Sequence, residues 1–109
     1  MELKQGTIAW ASVRMPNGES KRRPVVIATP TKLIPSLNQL RVVGISASFR
    51  PHDPNVIPLA YRDDGNIHTG LKKACAISLA LVDDVDKASL RPSKYWVGKA
   101  ALIEMLERL

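Results

Sequence analysis

Apolar residues in this chain alternate in short runs, and only the C-terminal end shows a helical stripe. Residues 7–13 place Ile8 and Trp10 on one parity and Ala9, Ala11 and Val13 on the other, as a strand does. Pro16-Asn17-Gly18 supplies turn residues, and a second strand over 24–29 is expected to pair with the first as a hairpin. Residues 30–38, with Leu33 and Ile34, read as a looser connection with a short helical turn, and 40–45 as a third strand. The segment 46–55 holds Arg50, Pro51, His52, Asp53 and Pro54, and its prolines predict a surface loop. A short strand over 56–59 and a turn at 63–66 follow.

The clearest alternation comes next. Cys75, Ile77, Leu79 and Leu81 interleave with Ala74, Ala76, Ser78 and Ala80, which predicts a large-residue face for the core and a small-residue face. Leu102, Met105, Leu106 and Leu109 recur at helical spacing, so a helix over 99–109, opened by Gly98, is expected to lie on that small-residue face. Short strands, Gly/Pro punctuation and one terminal helix predict a single domain over 1–109, mainly β, bent into a small antiparallel barrel with functional loops at one end.

Composition narrows the partners. The chain has 109 residues, room for one modest core, and its 45% hydrophobic content is that of a folded globule. A net charge of +6 favours an anionic partner: nucleic acid, an acidic protein or a membrane face. Cys75 is the only cysteine, so no internal disulfide forms, and two histidines make a poor zinc set. The segment from Met1 to Gly6 has no apolar signal-peptide core and no stretch reaches membrane-spanning length, so a cytoplasmic protein without a membrane partner is expected.

The run Lys21-Arg22-Arg23-Pro24-Val25-Val26-Ile27 carries most of the candidate chemistry. Pro24 fixes φ and suits the first position of a strand, so Arg23 would project from a rigid entrance where its fork can grip a phosphate. From this run alone, a solvated basic turn is the more ordinary reading. Lys72 and Lys73 fit either a phosphate track or a solvated strand entrance. Cys75 reads as a buried small hydrophobe, and Trp10 and Trp96 as core or interface anchors before base-stacking platforms.

In order along the chain, several motifs resemble the MazF/PemK toxins. They are Gly6-Thr7-Ile8, Gly18-Glu19, Arg23-Pro24-Val25-Val26, Ile45-Ser46-Ala47, Gly70-Leu71-Lys72-Lys73 with Cys75-Ala76-Ile77, and Asp86-Lys87-Ala88-Ser89-Leu90. The resemblance implies an SH3-like barrel, usually a homodimer, acting as the toxin of a type II toxin–antitoxin pair. It further implies metal-independent and cofactor-free cleavage of single-stranded RNA, in which the ribose 2′-oxygen attacks the adjacent phosphate. Carried over by motif, Arg23 would stabilise the phosphorane charge and the Ser46 hydroxyl would hold a phosphate oxygen, although a strand-end hydroxyl also bonds its own backbone. An acidic antitoxin segment is the implied protein partner.

The chain departs from that pattern where relatives often carry an acid and Gln followed by Arg-Thr. Here those places hold Ala80, Leu81, Asp83 and Asp84, and the acidic pair would repel RNA if it faced the groove. Glu19 stands near Arg23 in sequence as a replacement base, and His52 could shuttle a proton or simply face solvent. With Lys21, Arg22, Arg50, His52, Lys72 and Lys73 as nucleic-acid contacts, the leading expectation is an endoribonuclease toxin. The alternatives are a non-catalytic binding barrel derived from such a toxin, and a relative that poisons gyrase.

Overall fold

The computed structural model describes residues 2–50 and 52–109, so Pro51, within the loop expected over 46–55, and Met1 lie outside the described residues. Among the described residues, six strands form one antiparallel sheet: β1 (Thr7–Arg14), β2 (Ser20–Ile27), β3 (Gln39–Ser46), β4 (Val56–Pro58), β5 (Ala76–Asp86) and β6 (Arg91–Trp96). Their order across the sheet is β4-β5-β3-β2-β1-β6, and one helix, α1 (Lys99–Arg108), follows. Gly18, at a φ of +89°, closes the expected β1–β2 hairpin in a conformation that glycine tolerates. The connection after β2 contains a 3-10 helix, Thr31–Ser36, whose Ile34 is buried and whose Leu33 is exposed.

Pro24 does not open its strand. It sits inside β2 opposite Trp10, because the β2–β3 ladder ends at Val25↔Gly44 and one side of β2 needs no donor beyond it. β6 was not evident from the pattern, since Arg91–Trp96 contains Pro92 and no apolar alternation; it is an edge strand, where such a sequence is allowed.

Both faces of the sheet bury apolar side chains. One cluster gathers Ile8, Val26, Val43, Ile45, Ile77 and Cys75 beneath Met105 of α1. The other gathers Ala11, Val13, Val25, Ile27, Leu40, Val42, Leu81 and Val85 on the concave side. β1 and β5 are not ladder neighbours, yet the sheet curls until they meet, and the Arg14 amide donates to Asp83 Oδ2 at 3.2 Å across that closure.

The alternation expected through Leu81 is broken by a bulge. Val43 pairs with Val82 but Ile45 pairs with Ile77, so the single residue Gly44 faces four residues of β5, 78–81. That odd excess of three moves every later side chain to the opposite face. Cys75 and Ile77 consequently pack under α1, while Leu81 and Val85 enter the concave cluster. The helix therefore covers the large-residue side of early β5 and not the small-residue face. Neither tryptophan lies in the core, Trp10 being 47% and Trp96 48% exposed, so of the core-or-interface reading only the interface half stays open. Among the described residues, no helix is long and apolar enough to cross a membrane.

Candidate functional site

Arg23 lies opposite Ala11 on the concave side of β2, next to the bulge, and is only 9% exposed. A Cβ on Gly44 would lie 3.2 Å from Arg23 Cδ and 2.9 Å from Leu81 Cβ, so the arginine stem rests over bare backbone. The guanidinium Nε is buried with no hydrogen-bond acceptor, and among the described residues no carboxylate pairs with this side chain. A buried donor left unmade costs about 1–3 kcal/mol, more for a charged group, and an anion supplied from outside removes that cost. The geometry therefore describes a cation held ready for an anionic oxygen.

Ser46 shares the parity of Gly44, which pairs with Val25 at the end of the β2–β3 ladder, and is itself paired with Ala76 of β5. The Ser46 hydroxyl is already engaged, donating to the Ser48 carbonyl at 3.2 Å and accepting from the Ser48 amide at 3.1 Å. It closes its own turn, as short hydroxyl side chains do at strand ends.

The other sequence-derived candidates lie around these two residues. Lys21 shares the parity of Arg23 and is paired with Val13, whereas Arg22, paired with Ser12, takes the opposite face; both are exposed. Glu19 is exposed at the hairpin tip, its amide bonded to Asn17 Oδ1, about 13 Å along the strand from Arg23. Arg50 and His52 are exposed in the loop after Ser46. Lys72 and Lys73 are exposed on the helix side of the sheet, lining a cavity of about 530 Å³ with Trp10, Pro24, Ala47 and Tyr95. Pro24 and Ala47 are the chain neighbours of Arg23 and Ser46, so the two faces of the site adjoin at one end of the barrel.

The acidic pair is engaged elsewhere. Asp84 takes a forked bond from Arg41, Nε to Oδ1 at 3.0 Å and a second nitrogen to Oδ2 at 3.2 Å. That bond holds the Asp84 carboxyl below its usual range and raises Arg41 in turn. Asp83 accepts the Arg14 amide across the closure and the Asp84 amide at 2.9 Å. Burial pushes the Cys75 thiol up, and the nearby positive charge of Lys73 only partly opposes it, which makes a poor nucleophile. Among the described residues, no group of three His, Cys, Asp or Glu side chains could hold a metal ion.

Sequence reasoning missed the support beneath Arg23. A glycine inside the apolar run Val42-Val43-Gly44-Ile45 was the available signal, since strand glycines mark bulges and close approaches.

No protein-family model matches the chain, and no curated protein matches it by sequence. Solved structures do match. MazE–MazF from Deinococcus radiodurans (Form-II) superposes with a TM-score of 0.69 at 15% identity, over 97% of this chain and 89% of that one. Toxin MazF-mt6 of Mycobacterium tuberculosis gives 0.66 at 21% identity, over 94% and 93%. A further structure described as an Mtb toxin gives 0.61 at 20% identity, over 90% and 98%. These likenesses show that the chain has the MazF toxin fold.

Proposed function

We propose that this MazF-fold chain is the toxin of a toxin–antitoxin pair, acting on single-stranded RNA at Arg23. The observation that carries the proposal is the buried Arg23 Nε without an acceptor, at the end of a barrel bearing a net charge of +6. A phosphodiester oxygen supplies the missing acceptor and a counter-charge together. In the proposed reaction the ribose 2′-oxygen forms a bond to phosphorus and the bond from phosphorus to the 5′-oxygen breaks. The 2′-hydroxyl proton passes to a base and the leaving oxygen gains one, giving a 2′,3′-cyclic phosphate and a 5′-hydroxyl. Arg23 stabilises the charge that builds on the phosphoryl oxygens, and Glu19 is the proposed base. The remaining basic candidates hold flanking phosphates. A homodimer, an acidic antitoxin segment that competes with RNA, and a cytoplasmic location belong to the same proposal; the likeness to the MazE–MazF structure from Deinococcus radiodurans supports the antitoxin.

A second reading, RNA binding without cleavage, is favoured by the Ser46 hydroxyl being closed into its own turn and by the reach from Glu19 to Arg23. End-group analysis after incubation with mixed-sequence single-stranded RNA separates the two. Wild type is expected to yield 5′-hydroxyl and cyclic-phosphate ends, and Arg23→Met to yield none and to stop inhibiting growth. Because the variant also removes a buried unpartnered donor, its folded state should gain about 1 kcal/mol in urea unfolding. Cleavage by Arg23→Met at the wild-type rate would remove Arg23 from the mechanism. RNA binding by wild type with no products would select the second reading.

A further inference from the structure

A second groove runs along the outer side of β6, between the segment before β1 and the start of α1, with a volume of about 720 Å³. Its lining includes Lys4, Lys94 and Lys99, with Glu2 as the one acid. Among the described residues, none of the three lysines is ion-paired, whereas Arg41, Arg62 and Arg108 each meet a carboxylate. Trp96, also in the lining, is 48% exposed, with His68 against its ring at 5.1 Å. Lysines on an edge strand commonly guard against unwanted strand pairing, but that explains Lys94 alone, since Lys4 and Lys99 lie outside β6.

Continuity with the Arg23 end decides what the groove fits. Ser93 and Tyr95 line this groove and also the cavity of Trp10, Lys72 and Lys73 that reaches Pro24 and Ala47. The groove thus adjoins, across Ser93 and Tyr95, the cavity that reaches the neighbours of Arg23 and Ser46. Lysines without a carboxylate partner, Lys94 lying over the Tyr95 ring at 5.4 Å, beside exposed Trp96 and next to the cavity of exposed Trp10, suit a single nucleic-acid strand, whose phosphates meet the lysines while bases stack on the rings. A carboxylate-rich peptide would satisfy the cations but leave the rings without flat partners.

We infer that the β6 groove is a second RNA contact, holding the flank of a strand whose reacting phosphate sits at Arg23. This rests on the function proposed above and extends it beyond the Arg23 end. The test measures binding of poly-uridine RNA and of a uridine dinucleotide across a salt series. The proteins compared are wild type, the triple variant Lys4→Gln/Lys94→Gln/Lys99→Gln, Trp96→Ala and Arg23→Met. Three lost phosphate contacts should lower the slope of log affinity against log salt by about 2 for poly-uridine. The dinucleotide, whose one phosphodiester would be seated at Arg23, should bind the triple variant as it binds wild type. Trp96→Ala should weaken poly-uridine binding about tenfold. An unchanged slope in the triple variant would overturn the inference while leaving Arg23 in place. Loss of poly-uridine binding in the triple variant but not in Arg23→Met would support the groove and sink the Arg23 site. If the triple variant changes oligomeric state, or if poly-glutamate binds the groove and poly-uridine does not, the occupant is a protein surface and the inference fails.

Discussion

Gly44 is where backbone geometry and candidate chemistry meet. The nearest contact of a side chain there would be Leu81 Cβ at 2.9 Å, an atom close to its own backbone and unable to swing away. Gly44 is not among the positive-φ glycines, so its requirement is for space and not for an unusual conformation. Gly44→Ala should therefore cost about 1–3 kcal/mol, as other overpacked core positions do, readable as a lower urea midpoint at unchanged slope. The added methyl would also lie 3.2 Å from Arg23 Cδ, so RNA binding should weaken in the same variant. Arg23 stood out in sequence as a candidate because a cation there precedes a proline and a β-branched run. Its support did not, because nothing near residue 44 in sequence tells which side chain β5 brings over it.

At the level of elements, the hairpin, the third strand and the terminal helix were legible from periodicity, and two features were not. β6 has no apolar alternation because an edge strand need not bury a face. The bulge at 78–81 is invisible because alternation reports parity only while the ladder stays in register, and a three-residue excess resets it. The β3–β5 ladder also carries the shortest ion pair among the described residues, Arg41 with Asp84. The Asp84 carboxyl is lower in the folded chain than in the unfolded one, so its contribution is present above the unfolded value and fades as pH falls through the folded one. Both partners are about half exposed, which keeps that contribution small. Asp84→Asn should accordingly flatten the stability profile only below about pH 4, with little change near neutrality, in urea titrations across pH.

The whole molecule holds its curl through side chains where the ladder does not close. Asp83 bonds the Arg14 amide between strands that are not sheet neighbours, so a carboxylate read in sequence as a hazard to RNA serves as a clasp. Asp83→Ala should cost about 1 kcal/mol and raise the hydrogen-exchange rate of the Arg14 amide more than that of amides inside the β1–β2 ladder. The candidate site was legible only in part for a related reason. Its residues come from the hairpin, the end of β3 and the strand entrance before β5, and local patterns do not tell which of these share a face. Finally, the solitary cysteine is buried beneath the helix with a thiol that resists ionisation. Native protein should thus stay silent toward mild alkylating dyes, and a cysteine engineered at the exposed hairpin tip would be the sole reactive handle, giving a fluorescence reporter of anything that settles over Arg23.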